Sequence, residues 1–303
     1  MDEQKLHPAY TRESKSLRLS GVIGLGDLSS GWALQGATGE GVRVAVIDSG
    51  IELDHPAVKG GVDAKSCIDI SVDDEGGIIE THGPHNDAFG HGTACAGIIH
   101  SLAPRTRITS VRVLGGALTG KASAFLRGIG WAIEEGYDVI NLSLGAGKRE
   151  WALAFHEICD EAYFRGSLIV TAANNVPNPS FPSLFASVTS VACNLSKDPF
   201  RFHYNPDPPT EFLARGIDVD VAWKGGGYIT ASGNSFAAPH ISGIAALIRS
   251  KHPTLRPFQL KTVLWAIAAN VQEAPRMPGR LSGHARPINR SSRASSALGL
   301  KAQ

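Results

Sequence analysis

Asp48, His91 and Ser235 each stand in a short glycine-framed segment: Val44-Ala45-Val46-Ile47-Asp48-Ser49-Gly50, Gly90-His91-Gly92-Thr93 and Gly233-Asn234-Ser235-Phe236-Ala237-Ala238-Pro239. Each segment puts one polar residue at the edge of an apolar element. Together the three residue types can carry out nucleophilic acyl transfer. A neutral serine hydroxyl attacks poorly unless a base lies within hydrogen-bond reach, and the base needs an acid to hold it in the right tautomer. The order Asp, His, Ser is one of several chain orders in which that geometry occurs. Ser235 is therefore the expected nucleophile, His91 the base and then acid, and Asp48 the orienting carboxylate.

The tetrahedral oxyanion formed in such a reaction needs donors. His91 and Ser235 both read as helix openers, so the amides of the Ser235 turn can face the reacting carbonyl. Thr171-Ala172-Ala173-Asn174-Asn175 follows an apolar strand, and an asparagine side chain there can supply a second donor. Asn175 is the expected one. The competing reading is that both asparagines simply form a turn.

These residues need a frame. The run Val42–Ile47 is apolar and β-branched, as in a buried strand, and a short helix fits Ser30–Leu34. A helix follows His91, then a strand at Val111–Leu114 and a helix from a Thr119 cap to Glu135. Strands at Val139–Leu144, Leu168–Ala172 and Val188–Cys193 alternate with a helix at Arg149–Phe164. Two further helices are expected at Ser235–Lys251 and Pro257–Ala269. This alternation predicts an α/β fold with a mostly parallel sheet flanked by helices. Ligands in such sheets sit at the carboxyl ends of strands, where Asp48 lies.

The 303 residues are 43% hydrophobic, include 34 glycines and carry a formal net charge of +1. The charge gives no reason to expect nucleic-acid or membrane partners. The start Met1-Asp2-Glu3-Gln4-Lys5 lacks the basic and apolar pattern of a secretory leader, and no apolar run reaches transmembrane length. Cys67, Cys95, Cys159 and Cys193 show no CxxC spacing, so free thiols in a cytoplasmic protein are expected. The expected organisation is an extension over residues 1–20, a peptidase domain over 21–273 and a basic, disordered tail over 274–303.

The three segments resemble the subtilisin-like serine proteases, the subtilases, across roughly residues 20–270. The resemblance implies a three-layer fold and an endopeptidase working through an acyl-enzyme on polypeptide or precursor-peptide substrates. It places substrate binding on Ser143, Leu144 and Gly145, whose backbone would pair with an extended peptide. Ala172, Ala173 and Ser180 would border the pocket for the residue before the scissile bond. With Val176 rather than an acid at its rim, apolar residues are expected there. The resemblance also selects Asn175 for the oxyanion hole, alongside Ser235.

The chain departs from the family at several points. The usual Gly-Thr-Ser-Met-Ala-x-Pro reads Gly233-Asn234-Ser235-Phe236-Ala237-Ala238-Pro239, and the usual Ala-Gly-Asn reads Ala173-Asn174-Asn175. A carboxylate that secreted members carry after a His-Pro pair is Ala57, and the helix after His91 has little inserted. No cofactor is therefore required and the strong calcium site is expected to be missing, leaving room for a weak calcium site elsewhere. Asp48 comes too early for a long folding propeptide. Residues 1–20 then act as a short inhibitory segment, the enzyme folds unaided, or the sequence is a trimmed form.

Other readings compete. His82, His85, Asp87 and His91 offer zinc-type ligands, but their spacing matches no metal motif, so no metal is expected. A pseudoprotease, a peptide-binding module without turnover, is the alternative prompted by Asn234 and Asn174. Gly24-Leu25-Gly26 follows no strand and is not a dinucleotide loop. Cys95, one helical turn beyond His91, reads as an inert buried thiol that soft metals can still reach.

Overall fold

The run Val44–Ile47 forms the middle of the molecule. β1 (Arg43–Asp48) lies between β4 (Arg107–Arg112) and β5 (Val139–Leu142), parallel to both. Its residues Val44–Ile47 are 0–1% exposed, because helices cover both faces and neither sees water. The computed structural model describes residues 28–274. Within them, nine strands run in the order β3-β2-β4-β1-β5-β6-β7-β9-β8. β6 is Leu168–Ala172, β7 Thr189–Asn194, β8 His203–Tyr204 and β9 Phe212–Arg215. The sheet is parallel except for the edge hairpin β2 (Ile68–Val72) with β3 (Ile78–His82) and the β8–β9 pair.

Strand alternation divides the core in two. Val44 and Val46 pack with α2 (His91–Leu102), α5 (Asn234–Lys251) and α6 (Pro257–Ile267). Ala45 and Ile47 pack on the other side with α3 (Ala122–Glu134) and α4 (Ala152–Arg165). The result is the expected helix–sheet–helix α/β architecture. α1 (Ser30–Leu34), capped by Ser29, packs near the end of α5, and α7 (Ala269–Gln272) follows α6.

Several boundaries differ from the sequence reading for local reasons. β4 ends at Arg112 rather than Leu114, since the Val113 and Leu114 amides both donate to the Asp48 carbonyl and leave the ladder. Thr119 caps no helix. Its carbonyl accepts from Gly115, and α3 starts three residues later. β5 stops at Leu142, and a 3₁₀ turn at Arg149–Trp151 precedes α4. The sequence reading also missed the hairpin β10 (Val219–Trp223) with β11 (Gly227–Ala231), whose inner face packs on α2 and Phe236. The expectations for residues 1–20 and for the tail beyond 274 fall outside the described residues. No helix among the described residues is long and apolar enough to cross a membrane.

Candidate active site

Asp48 ends the central strand with no exposed surface. Its carboxylate oxygens both lie 2.9 Å from His91 Nδ1, and Oδ1 also accepts the Ser49 amide at 2.7 Å. His91 is the first residue of α2 and is 6% exposed. With Nδ1–H donating to the carboxylate, Nε2 is the acceptor of the neutral ring.

The turn that presents His91 is laced to the turn after Asp48. Asp87 is buried and accepts from the amides of Phe89, Gly90 and Thr93, the Thr93 hydroxyl and the Ser49 hydroxyl, at 2.6–3.0 Å. It thereby satisfies the otherwise orphaned donors at the start of α2. Ser49 Oγ in turn accepts the Gly92 amide at 3.1 Å. Gly90 has φ of 119°, and a Cβ there would meet the Trp223 indole at 2.7 Å, so only glycine fits this position.

Ser235 is the second residue of α5 and half-buried. Pro239, four residues on, has no N–H to give the Ser235 carbonyl. The Ser143 hydroxyl fills that role, donating to Ser235 O at 2.8 Å. Behind it, Asn141 Nδ2 donates to Ser143 Oγ at 3.0 Å and Ser242 Oγ donates to Asn141 Oδ1 at 2.8 Å. The ring nitrogen contacts of His91 go to Asp48 and, at 3.9 Å, to Cys95. No hydrogen bond joins the ring to the Ser235 hydroxyl. Catalytic contacts in unliganded sites are often longer than in the complex.

Asn175 is solvent-exposed, and its Oδ1 accepts the Asn234 amide at 2.8 Å. Among the described residues, Nδ2 has no acceptor and is open to a ligand. A Cβ placed on Gly233 would lie 3.3 Å from Ser235 Oγ and 3.7 Å from Asn175 Nδ2, so hydroxyl and amide flank one small space. Asn234 locks the two segments together: its Nδ2 donates to Ala173 O at 3.2 Å and Asn174 O at 3.0 Å, and its Oδ1 accepts the Cys193 amide at 2.9 Å. The substitution that looked like a defect in the sequence is therefore a brace. Asn174 organises its own turn, accepting from Val176 and donating to Asn178 O.

The β5–β6 ladder ends at Leu142–Thr171, and pairing resumes at the Ala146–Phe181 bridge. Ser143, Leu144 and Gly145 lie between them. A Cβ on Gly145 would run into the Ser180 hydroxyl, so these two residues are in contact, with Ala172 buried at the end of β6 and Ala173 half-buried just after it. The structure thus brings together the Ser180 and Gly145 named from the sequence. It also gives the Ser143 side chain an inward task that sequence could not show.

Electrostatics favour an imidazolium. Burial by itself pushes the His91 pKa down, but the Asp48 charge and hydrogen bond outweigh it and lift the value well above the ordinary 6.5. Burial pushes the Cys95 thiol up, keeping it neutral beside the pair. His240, on the same helix as Ser235, is lowered to about 4 by burial and donates Nδ1–H to Phe236 O at 2.8 Å, so it stays neutral.

Of the residues considered for zinc, His82 is exposed near Glu80, His85 Nε2 pairs with Ser110 at 2.8 Å, and Asp87 is used as a helix cap. Among the described residues, the grouping that could hold a metal ion is instead Asp48, His91 and Cys95. For the calcium site of secreted relatives, Ala57 offers no carboxylate and α2 runs uninterrupted, so these residues do not fit one there.

The chain matches the Subtilase family over residues 39–284. It is 31% identical to subtilisin DY of Bacillus licheniformis over 256 residues, covering 79% of this chain and 88% of that protein. It is 33% identical to a subtilisin of Bacillus pumilus over 251 residues, covering 77% and 86%. Among solved structures, a cold adapted subtilisin-like serine proteinase aligns with TM-score 0.62 and 26% identity, over 78% of this chain and 87% of the other.

Proposed function

The chain belongs to the subtilase family and is a serine endopeptidase, and from that premise we propose that Asp48, His91 and Ser235 are its catalytic triad. The observation that carries this reading is the buried His91–Asp48 clamp at 2.9 Å beside the Ser235 turn. His91 Nε2 takes the Ser235 proton as Oγ attacks the scissile carbonyl. The proton then passes to the leaving amine, and Asp48 stabilises the imidazolium between these steps without taking the proton itself. Asn175 Nδ2 and the Ser235 amide receive the oxyanion. Water repeats the sequence to release the acyl group.

An extended peptide adds as a strand along Ser143–Gly145, and its residue before the scissile bond enters the recess of Gly145, Ala172, Ala173 and Ser180. With Val176 at the rim, that residue is apolar. These steps require no cofactor. The four unpaired thiols support a reducing compartment such as the cytoplasm. Maturation of a precursor peptide is the narrower form of this reading, and bulk turnover the broader.

A peptide-binding module without turnover is the reading favoured by the missing Ser235–His91 hydrogen bond. Hydrolysis of a peptide library by the wild type, Ser235→Ala and His91→Ala proteins separates these cases. Cleavage after apolar residues that both substitutions abolish supports the triad. A few preferred sequences support maturation, and binding without cleavage by wild type contradicts the proposal.

A further inference from the structure

The β10–β11 hairpin touches all three segments that carry the proposed triad. β11 ends at Ala231, four residues before Ser235. On the inner face, Val219 and Val221 pack with Phe236, whose ring lies 5.3 Å from the His91 ring. Trp223 closes the far end of β10. Its indole meets the Phe89 ring edge-on at 5.5 Å and lies so close to Gly90 that no Cβ fits there. The turn that presents His91 and the residue beside Ser235 thus rest on one floor.

The hairpin tip is fastened to the loops after Asp48 and before His91. Glu52, four residues after Asp48, accepts the Gly225 amide at 2.7 Å and the Gly226 amide at 3.3 Å, both on Oε2. Gly225 and Gly226 have φ of 87° and 75°, the left-handed region that favours glycine, and their amides turn toward that one oxygen. Buried His55 donates Nε2–H to Gly227 O at 2.8 Å, while its Nδ1 accepts the Ala57 amide at 3.1 Å. From the tip, the Lys224 ammonium donates to Ala88 O at 3.1 Å, three residues before His91. The Glu52 amide donates to the Thr93 hydroxyl at 2.9 Å, so Glu52 is also bonded to the first turn of α2.

Building on the triad reading, we propose that this hairpin is a clasp setting His91 against Ser235, with Glu52 as its latch. Glu52 is then a positioning residue, acting through Trp223 and Phe236 without touching substrate or the reacting atoms. The two amides it holds are exposed, so water replaces the carboxylate at little cost in stability. Turnover is more sensitive, because a shift of about 1 Å between reacting groups can cost about a hundredfold in rate. A drifting hairpin changes the His91–Ser235 separation and leaves the buried Asp48–His91 contact as it is.

The test measures the rate of Ser235 labelling by a small fluorophosphonate, peptide hydrolysis and Tm. The proteins are wild type, Ser235→Ala, Glu52→Ala, Glu52→Gln and Lys224→Met. The reagent reaches little beyond the reacting atoms, so its rate reports activation of Ser235 rather than peptide contacts. Glu52→Ala labels and turns over about tenfold more slowly, with KM within about twofold of wild type and the acidic limb of kcat/KM at the wild-type midpoint. Glu52→Gln keeps an acceptor for the two amides and recovers about half or more of the lost rate. Lys224→Met, which frees the tip from Ala88 O, labels severalfold more slowly and reads the clasp if Glu52→Ala does not accumulate folded. A merely structural Glu52 would lower Tm and leave labelling below that temperature unchanged. Wild-type labelling rates in Glu52→Ala, or in Lys224→Met where Glu52→Ala does not fold, overturn the clasp alone while wild type reacts on Ser235. A wild type without label on Ser235 overturns the triad reading and the clasp with it.

Discussion

The Ser143 hydroxyl donates to the carbonyl of Ser235 at 2.8 Å, supplying the bond that Pro239 withholds. The turn carrying the proposed nucleophile is thus held from the segment just after β5 rather than from within its own helix. Ser143→Ala leaves that carbonyl with only the weak Cys95 thiol donor at 3.7 Å, and leaves the Asn141 amide without a partner. The expected cost is about 1–3 kcal/mol of stability. Because the carbonyl belongs to the attacking residue, kcat falls more than KM rises. Chemical denaturation and steady-state kinetics on the same variant measure both, and an unchanged kcat would show that the bond does not position Ser235.

Asn175 and Asn234 act in series. If Asn175 is the proposed side-chain oxyanion donor, Asn175→Ala lowers kcat about 10²–10³-fold with KM little changed, the loss seen for such a donor in subtilisin. Asn234→Ala keeps the donor but frees it from its brace to Ala173, Asn174 and Cys193. Its kcat loss is smaller, about tenfold, as for a loosened rather than absent group. Comparing kcat for the two single variants and the double checks the order, since two residues acting through one donor are not additive.

The pH dependence follows from His91. Its folded pKa lies well above 6.5 because Asp48 outweighs burial. The base form therefore appears only above that raised value, and the acidic limb of kcat/KM has its midpoint above 6.5. Asp48→Asn moves the limb down while lowering the plateau. For stability, the raised folded pKa gives a contribution that is complete below the unfolded value near 6.5. It is lost as pH rises through the folded value. An acidic limb centred at or below 6.5 in the wild type would contradict the electrostatic account.

Cys95 Sγ lies 3.9 Å from both His91 Nδ1 and Asp48 Oδ2, within a group able to grip a soft cation. Mercuric chloride inhibits the enzyme by pulling His91 out of line, and Cys95→Ser raises the concentration needed by about tenfold or more. Alkylating agents do not act at this neutral buried thiol, nor at Cys159, whose pKa burial pushes up to about 12. Equal sensitivity of wild type and Cys95→Ser to mercury would remove Cys95 from the explanation.

The elements that place Asp48, His91 and Ser235 were readable because each combines an apolar run with glycine punctuation. β1 and α5 came within a residue of their observed ends, and α2 starts at His91, where a helix was expected. The helix near Thr119 started too early because a threonine before an apolar run has the pattern of a cap, while its carbonyl closes a turn onto Gly115. The β10–β11 hairpin was missed because its outer strand is exposed and the three-residue tip, Lys224, Gly225 and Gly226, is not a two-residue turn signal. The bracing by Ser143 and Asn234 depends on contacts between segments tens of residues apart. A Pro239 inside a helix was the one clue in the sequence that the Ser235 carbonyl needs an outside donor.

The central claim is that Asp48 and His91 activate the Ser235 hydroxyl. Intact-mass analysis after incubation with a fluorophosphonate tests it most directly, comparing wild type with Ser235→Ala and His91→Ala. The account predicts a single adduct on Ser235 in the wild type, none in Ser235→Ala and slow or no labelling in His91→Ala. A well-folded wild-type protein that takes up no label, or one labelled equally with and without His91, would contradict it.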